Sequence, residues 1–311
     1  MKKKLLLIYI FLAFLISSKS QQDAMFTYYM FNSQSINPAY VGSKDVVNVT
    51  MLNRSQWTGF EGAPWSHTIS LSTPLINESL GFGLSFSNDV IGPSTLNNFT
   101  LDFAYHLKLN NPNHRLSMGV KVGGNHARID LNSLELDNQN DPSFNVDNIG
   151  KFMPNYGFGL YYYTTKWYLG VSSPQLVNYD FNSSQRHYFV RAGAVFNITE
   201  NLKIRPSSFL KFTKNAASTL DLTGLLIFRD ETWAGFAFRA PVGIFVPTGS
   251  SGGGYAFLVG INLSDQLSVG YSFGYSVGNQ TFKFNNGSHE ITLRYDHIYE
   301  SKKIIKSPRY F

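Results

Sequence analysis

Fourteen segments of this 311-residue chain alternate between apolar and polar residues with a period of two. The alternation is clearest in EITLRYD, where Ile291, Leu293 and Tyr295 share one face and polar residues occupy the other. A period of two predicts β-strands with one apolar and one polar face. The segments lie near residues 46–54, 65–73, 81–88, 96–109, 114–125, 154–163, 166–173, 187–198, 202–213, 217–228, 232–238, 254–263, 266–275 and 288–296.

The lengths of these segments and of their connections distinguish a membrane barrel from a soluble sandwich. Many segments have about ten residues, the length with which a tilted strand crosses a bilayer. From Asn110 onward, every connection after an even-numbered segment is short, and most others are long, although 214–216 breaks the pattern. The long connections are 126–153, 174–186, 239–253 and 276–287. An even strand number with short turns at one rim predicts an all-β fold, a transmembrane antiparallel β-barrel of about 14 strands over 46–297.

The composition agrees with a barrel and excludes several other classes. Charged residues make up only 15% of the chain and aromatic residues another 15%, whereas globular domains carry about 25% charged residues. There is no cysteine, which excludes a lipid anchor on cysteine and any disulfide. The net charge of +6 is spread along the chain, so we predict no nucleic-acid partner.

The two ends of the chain differ from the barrel region. Residues 1–20 have three lysines, an apolar run from Leu5 to Ile16, and serines suited to a cleavage site, which predicts a cleaved secretory signal peptide. Residues 21–45 are rich in aromatic and amide side chains and show no period, so we expect a lumen plug or a periplasmic cap. Residues 298–311 form a tail whose final Phe311 fits the terminal aromatic of outer-membrane barrel insertion.

The polar faces of the segments suggest what lines the lumen. Small residues there permit close approach of an inserted segment, and we expect charged residues to pair across the barrel. The charged candidates are Asp102, Lys108, Lys121, Arg191, Lys203, Arg205, Lys211, Asp221, Glu290, Arg294 and Asp296. Aromatic residues at segment ends predict girdles at the two membrane interfaces. The girdle candidates are Trp57, Trp65, Tyr161, Tyr162, Tyr163, Trp167 and Trp233.

A search for catalytic or metal-binding patterns gives little. The seven histidines are scattered, and the chain has neither G-x-S-x-G nor H-E-x-x-H. We therefore predict no enzyme, no catalytic residue, no cofactor and no metal site. The stretch ELDNQNDPSFNVDN carries oxygen ligands that suit Ca²⁺, but it lacks the sharp-turn glycine of an EF-hand, so a solvated loop is the preferred interpretation.

Short motifs are dense in the first quarter of the mature chain. They are QQD at 21–23, YMFN at 29–32, NPAY at 37–40 with Gly42, Arg54, QW at 56–57 with Gly59, GAP at 62–64, GFG at 81–83, and ND at 88–89 with GP at 92–93. Together with the final SPRYF, they resemble the PorP/SprF family of outer-membrane proteins of the type IX secretion system in Bacteroidota. The SQS at 33–35 departs from the family, which often has a proline after the asparagine.

The resemblance implies a binding role without enzymatic activity. It implies that the barrel helps export, receive or anchor a large secreted surface protein, an adhesin or gliding component, by binding its C-terminal region. Implied partners are that type IX-secreted surface protein, periplasmic type IX or gliding components, and outer-membrane lipid. The candidate partner-binding or plug residues are Tyr29, Phe31, Asn32, Asn37, Pro38, Tyr40, Arg54, Trp57 and Asp89.

Two other functions remain open at this point. A transporter of small hydrophobic molecules, similar to fatty-acid transporters, also has fourteen strands and an N-terminal plug, and the aromatic stretch 24–40 could line its apolar site. A porin is the third alternative, and it would conduct ions in planar bilayers.

Overall fold

A computed structural model describes residues 26–75, 78–111, 113–131, 149–179, 186–213, 217–242, 253–277 and 286–298. Fifteen antiparallel strands account for most of these residues and form one sheet. They are β1 (Val47–Ser55), β2 (Trp65–Leu75), β3 (Leu80–Ile91), β4 (Ser94–Lys108), β5 (Arg115–Ile129), β6 (Ile149–Tyr163), β7 (Trp167–Ser173), β8 (His187–Ala194), β9 (Phe196–Asn197), β10 (Leu202–Thr213), β11 (Ser218–Phe228), β12 (Thr232–Val242), β13 (Gly253–Asn262), β14 (Leu267–Val277) and β15 (Ser288–His297).

The sheet closes on itself, because β1 pairs with β15 from Val47↔His297 to Ser55↔His289. The short β9 pairs with β10 in the same register as β8, and the break between them lies opposite Pro206, which has no N–H to donate. We therefore count β8 and β9 as one barrel strand. The predicted closed antiparallel barrel of fourteen strands is confirmed.

The predicted alternation sorts side chains between the lumen and the outer surface. In β15, Glu290, Arg294 and their polar neighbours are buried, whereas Ile291 is 52% exposed on the opposite face. The same division recurs around the barrel, so its outside is a band of exposed apolar side chains. An apolar exterior around a polar lumen is what a bilayer selects in a β-barrel. The described helices include none long and apolar enough to span a membrane.

The two rims differ as the connection lengths predict. Connections at the rim where β1 begins are short, for example 164–166 and 229–231, and we call it the periplasmic rim. The opposite, outer rim carries the longer connections 56–64 and 174–186. One connection there is tight, because Gly92 and Pro93 alone join β3 to β4.

Strands β3 to β6 are longer than the sequence predicted. The predicted loop 126–153 is wrong at both ends, because 126–129 continue β5 and 149–153 begin β6. The paired ladder runs without interruption from Ile129↔Ile149 to Arg115↔Tyr163. On one side, β6 extends past the end of β7, since their pairing stops at Phe158↔Ser173. Apolar alternation is not required where water meets both faces of a strand.

Candidate functional site

Residues 26–46, called the plug here, run through the lumen from the outer half to the periplasmic rim. At the upper end, the backbone N–H groups of Thr27 and Tyr28 donate to the Glu290 carboxylate at 2.8 and 2.6 Å. At the lower end, Arg115 binds the Asp45 carboxylate at 3.1 Å. Nearly every plug residue is buried, so the described part of the segment is a lumen plug rather than a cap across the periplasmic mouth.

Two short helical turns shape the plug. The first is α1 (Ser33–Ile36), and the second is a 3₁₀ helix (Pro38–Tyr40) with proline at its first position. The Asn37 side chain caps this turn by accepting the Ala39 N–H at 2.9 Å and anchors it by donating to the Leu160 carbonyl at 2.9 Å. Residues 41–46 then connect this turn to β1.

Glycines in the barrel wall make room for the plug backbone. A Cβ atom on Gly81 would lie 2.0 Å from the Val41 carbonyl oxygen, and one on Gly119 would lie 2.2 Å from the Ala39 nitrogen. Heavy atoms cannot approach this closely, so any side chain at these positions would displace the plug. The small residues of β3 and β5 therefore serve the inserted segment.

Aromatic rings of the plug pack against the opposite wall. The Tyr29 ring stacks on Phe209 at 4.9 Å, and the Phe31 ring stacks on Trp233 at 5.4 Å. Burial raises the pKa of Tyr29 to about 12, so its phenol stays protonated near Ser207, 3.2 Å away. The rings thus fill the lumen instead of lining an open channel.

This packing corrects part of the predicted aromatic girdle. Tyr161, Tyr163 and Trp233 are buried in the lumen, because strand parity points them inward. Trp65 and Trp167 are exposed on the outer surface, as a girdle requires. The three lumenal rings are therefore part of the plug's packing surface.

Charged residues in the lumen pair as predicted in several places. Lys121 lies 2.9 Å from Asp102, and both are buried on adjacent strands. Arg239 binds Asp221 at 2.6 Å. Lys108 does not lie in the lumen, because it is exposed at the periplasmic end of β4.

The plug residue Gln34 joins the Asp102–Lys121 pair, which sequence reasoning did not single out. Its side-chain amide donates to Asp102 at 3.1 Å and to Ser85 at 2.9 Å, and its backbone carbonyl accepts from the Lys121 ammonium at 3.4 Å. The abundance of amides in the plug was the available signal, but the sequence does not show which amide meets the ion pair.

The structure brings six of the nine predicted site residues together inside the plug: Tyr29, Phe31, Asn32, Asn37, Pro38 and Tyr40. Arg54 is buried on β1 directly opposite Glu290, and Asp89 is half-buried near the outer end of β3. Trp57 lies apart in the 56–64 connection, where its backbone N–H reaches Ser288 at 3.4 Å. Their role in binding a partner stays a prediction.

The buried Lys44 near the periplasmic rim has an unusual electrostatic setting. Burial, followed by the positive charge of Arg294, lowers the pKa of Lys44 to about 7, and Asp296 opposes this shift. Arg205 and Arg191 lower the pKa further. Burial is thus the main cause of the lowered pKa of Lys44, and the three arginines add to it.

The outer ends of β3 to β6 pair with one another as a continuous wall at the outer rim. Pairing of β6 with β7 stops at Phe158↔Ser173, so residues 149–157 extend past their neighbour. Residues 174–179 cover part of this edge, since the Leu176 N–H donates to the Tyr156 carbonyl at 2.8 Å. Phe152 is 65% exposed on this wall. We call residues 88–91, 94–98, 125–129 and 150–153 the outer wall.

A closed antiparallel barrel with an apolar exterior, a polar lumen and rims of unequal length defines an outer-membrane β-barrel protein. The family of type IX secretion system membrane proteins PorP/SprF matches residues 18–295. The chain belongs to this family and is an outer-membrane component of the type IX secretion system.

Solved structures share the fold at low sequence identity. The outer-membrane protein Omp33 of Acinetobacter baumannii is 10% identical over 82% of this chain and 100% of its own, with a TM-score of 0.50. A FadL homologue of Pseudomonas aeruginosa is 13% identical over 85% and 94% of the two chains, with a TM-score of 0.48. No curated protein sequence matches the chain.

No group of three or more metal-ligating side chains occurs within the part of the chain that the structure describes. Most of the predicted loop ELDNQNDPSFNVDN lies outside the described residues, and so do the signal peptide and the tail from 299 onward. The family and fold suggest a non-enzymatic role.

Proposed function

We propose that this protein receives one large type IX-secreted surface protein at the outer rim and holds it there by binding its C-terminal region. Membership of the PorP/SprF family supports the secretion context. The observation that carries the proposal is the filled lumen: the plug is buried from Tyr28 to Asp45, apart from the half-buried Ser35. A barrel closed by its own chain leaves its rims and loops as the surfaces that can bind a partner.

The outer wall is the part of that surface best suited to a protein partner. It presents the exposed apolar side chains of Ile91 and Phe152 beside polar strand residues. Aromatic and aliphatic anchors within a polar surround are typical of protein interfaces. On the β7 side, strand pairing of β6 stops at Phe158↔Ser173. An extended segment of a partner could add to this edge as a further strand.

A hydrophobic-molecule transporter is the competing function. It needs an apolar site within the lumen that a ligand can enter. The plug rings that could form such a site instead pack on Phe209 and Trp233. The filled lumen therefore favours the docking function.

Gene deletion followed by complementation tests the proposal. Deletion should abolish surface display of one adhesin, measured by antibody labelling of intact cells, while total type IX secretion continues or falls less. Complementation with F152D in the outer wall should restore the barrel but not the display. The matched control is L263D, which alters an equally exposed apolar residue at the periplasmic rim.

Two outcomes would overturn the proposal. If the deletion leaves surface display of every cargo unchanged, docking at this barrel is not required. If the deletion instead lowers uptake of labelled fatty acid, the transporter function is correct. The level of each variant in isolated outer membranes shows whether a loss reflects missing protein.

A further inference from the structure

The periplasmic half of the lumen concentrates basic side chains. Lys44 of the plug, Arg191 of β8, Arg205 of β10 and Arg294 of β15 are all buried, and Arg205 and Arg294 lie 5.4 and 5.5 Å from the Phe31 ring. Asp296 binds Arg294 at 3.0 Å. The charges that act most strongly on Lys44 are those of the three arginines and of Asp296.

Several buried charges elsewhere in the barrel have direct partners. Lys121 has Asp102, Arg239 has Asp221, and Arg115 has Asp45 and Glu78. This is the expected rule, because a buried charge is costly unless it is paired and hydrogen-bonded. The cluster around Arg191 departs from that rule.

Arg191 is the clearest departure. Its side chain is 2% exposed, and its three guanidinium nitrogens have no hydrogen-bond partner among the described residues. The rings of Tyr168, Tyr40 and Tyr161 surround it, with their centroids 4.6, 5.8 and 5.8 Å from Cζ. Ring faces attract the cation but accept none of its five N–H groups in the way that an oxygen does.

Tyr40 adds a second unmet donor at the same place. Its hydroxyl is buried without a hydrogen-bond partner in the described part of the chain. Arginine N–H groups, a phenolic O–H and a nearby ammonium all donate, so the missing group must accept several hydrogen bonds and carry negative charge. An oxyanion meets both conditions, since the guanidinium fork binds two oxygens at once.

We propose that Arg191 and Tyr40 form the core of a binding site for a small oxyanion of the phosphate or sulfate type in the periplasmic half of the lumen, and that Lys44 of the plug adds charge near it. Arg205 and Arg294 add positive potential around it. The bound oxyanion would join the plug, which carries Tyr40 and Lys44, to β8, which carries Arg191. The site thus fastens the lower plug to the wall opposite Gly81 and Gly119.

Equilibrium dialysis of the full mature chain in detergent micelles against radiolabelled phosphate tests the site. We expect about one phosphate per chain, competition by sulfate, and no competition by chloride at equal ionic strength. Protein refolded without lipopolysaccharide should bind equally, which separates a free anion from a lipid phosphate. Phosphate should also raise the thermal unfolding midpoint saturably, because it binds only the folded state.

Variants make the test specific to the proposed residues. R191M keeps much of the side-chain volume and should weaken phosphate binding at least roughly tenfold, since charge-assisted hydrogen bonds are lost. Y40F keeps the ring and should weaken binding by a smaller factor, and it remains informative if R191M does not fold. R239M is the matched control, because Arg239 already has Asp221, and it should bind phosphate like the wild type.

Three results would overturn the proposal. These are no binding of phosphate or sulfate by the wild type at millimolar concentration, unchanged binding by both R191M and Y40F, or an equal loss of binding in R239M. None of these results depends on whether the outer rim binds a secreted protein.

Discussion

Replacing Lys121 by methionine would remove one charge from a buried ion pair that also holds the plug. The Lys121 ammonium lies 2.9 Å from the Asp102 carboxylate, and the two side chains are 4% and 0% exposed. At an effective dielectric constant near 20, unit charges at this distance attract by roughly 6 kcal/mol. Much of that attraction offsets the cost of desolvation. Removing only one partner leaves a lone buried charge, so we expect K121M to lower the free energy of unfolding by about 3–5 kcal/mol.

The double variant D102L/K121M is the matched control. It removes both charges and fills the space with apolar side chains, so most of the lost stability should return. Gln34 would then lose Asp102 as an acceptor and Lys121 as a donor to its backbone carbonyl, but keep Ser85. These two lost hydrogen bonds should leave a deficit of about 1–3 kcal/mol relative to the wild type.

Urea unfolding in detergent micelles measures these differences. Tryptophan fluorescence and the fraction of protein that migrates as a folded barrel on an unheated gel provide two probes, and their midpoints should coincide. If the midpoint shifts while the slope of the unfolding free energy against urea concentration stays the same, the variant has changed in stability. The reasoning is refuted if K121M unfolds at the wild-type midpoint, or if the double variant is as unstable as K121M.

Three further predictions follow from the plug's contacts. G81L should displace the plug and expose it to added protease, because even a Cβ atom at Gly81 would lie 2.0 Å from the Val41 carbonyl oxygen. The control is G224A: a Cβ atom at Gly224 would meet open space, so this variant should resist protease like the wild type. The pKa of Lys44 in the folded protein is about 7, below its ordinary value of 10.5, so between these two pH values the unfolded chain binds more protons than the folded one. The free energy of unfolding should therefore rise with pH from 7 to 10.5, by up to about 1.4 kcal/mol per pH unit. K44M should flatten this rise, as measured by urea titrations at several pH values. R115Q removes the contacts of Arg115 with Asp45 of the plug at 3.1 Å and with Glu78 at 3.4 Å. It should lower the free energy of unfolding by about 1–3 kcal/mol, which urea midpoints would detect.

Much of the barrel was predictable because its signal is local. Alternation within β15 assigns Ile291 outward and Glu290 inward without knowledge of any other strand, and the bilayer enforces that choice over its whole thickness. The strand ends above the membrane were not predictable in this way. Residues 126–129 and 149–153 are held by pairing with each other across a long connection, and water on both sides removes the apolar pattern.

The contacts that the plug makes with the barrel wall could not be predicted from the sequence either. In the run Tyr161–Tyr162–Tyr163, aromatic residues occupy both faces, so composition does not separate lumen from lipid. Burial of Tyr161 beside Tyr40 is a contact between residues far apart in the chain. The aromatic and amide content of the plug predicted a lumenal segment, but not that Gln34 would meet Asp102 or that Tyr40 would meet Arg191.

The bonds from Thr27 and Tyr28 to Glu290 have a consequence for the order of assembly. Tyr28 and its acceptor are separated by 262 positions in the chain, and the Tyr28 hydroxyl also donates to carbonyls of β13 and β14. The first described residues of the protein are thus seated by the last strands to emerge during synthesis. A barrel that lacks its final hairpin lacks Glu290 and the Tyr271 carbonyl as acceptors for them, so a plug bound at its upper end indicates a completed barrel.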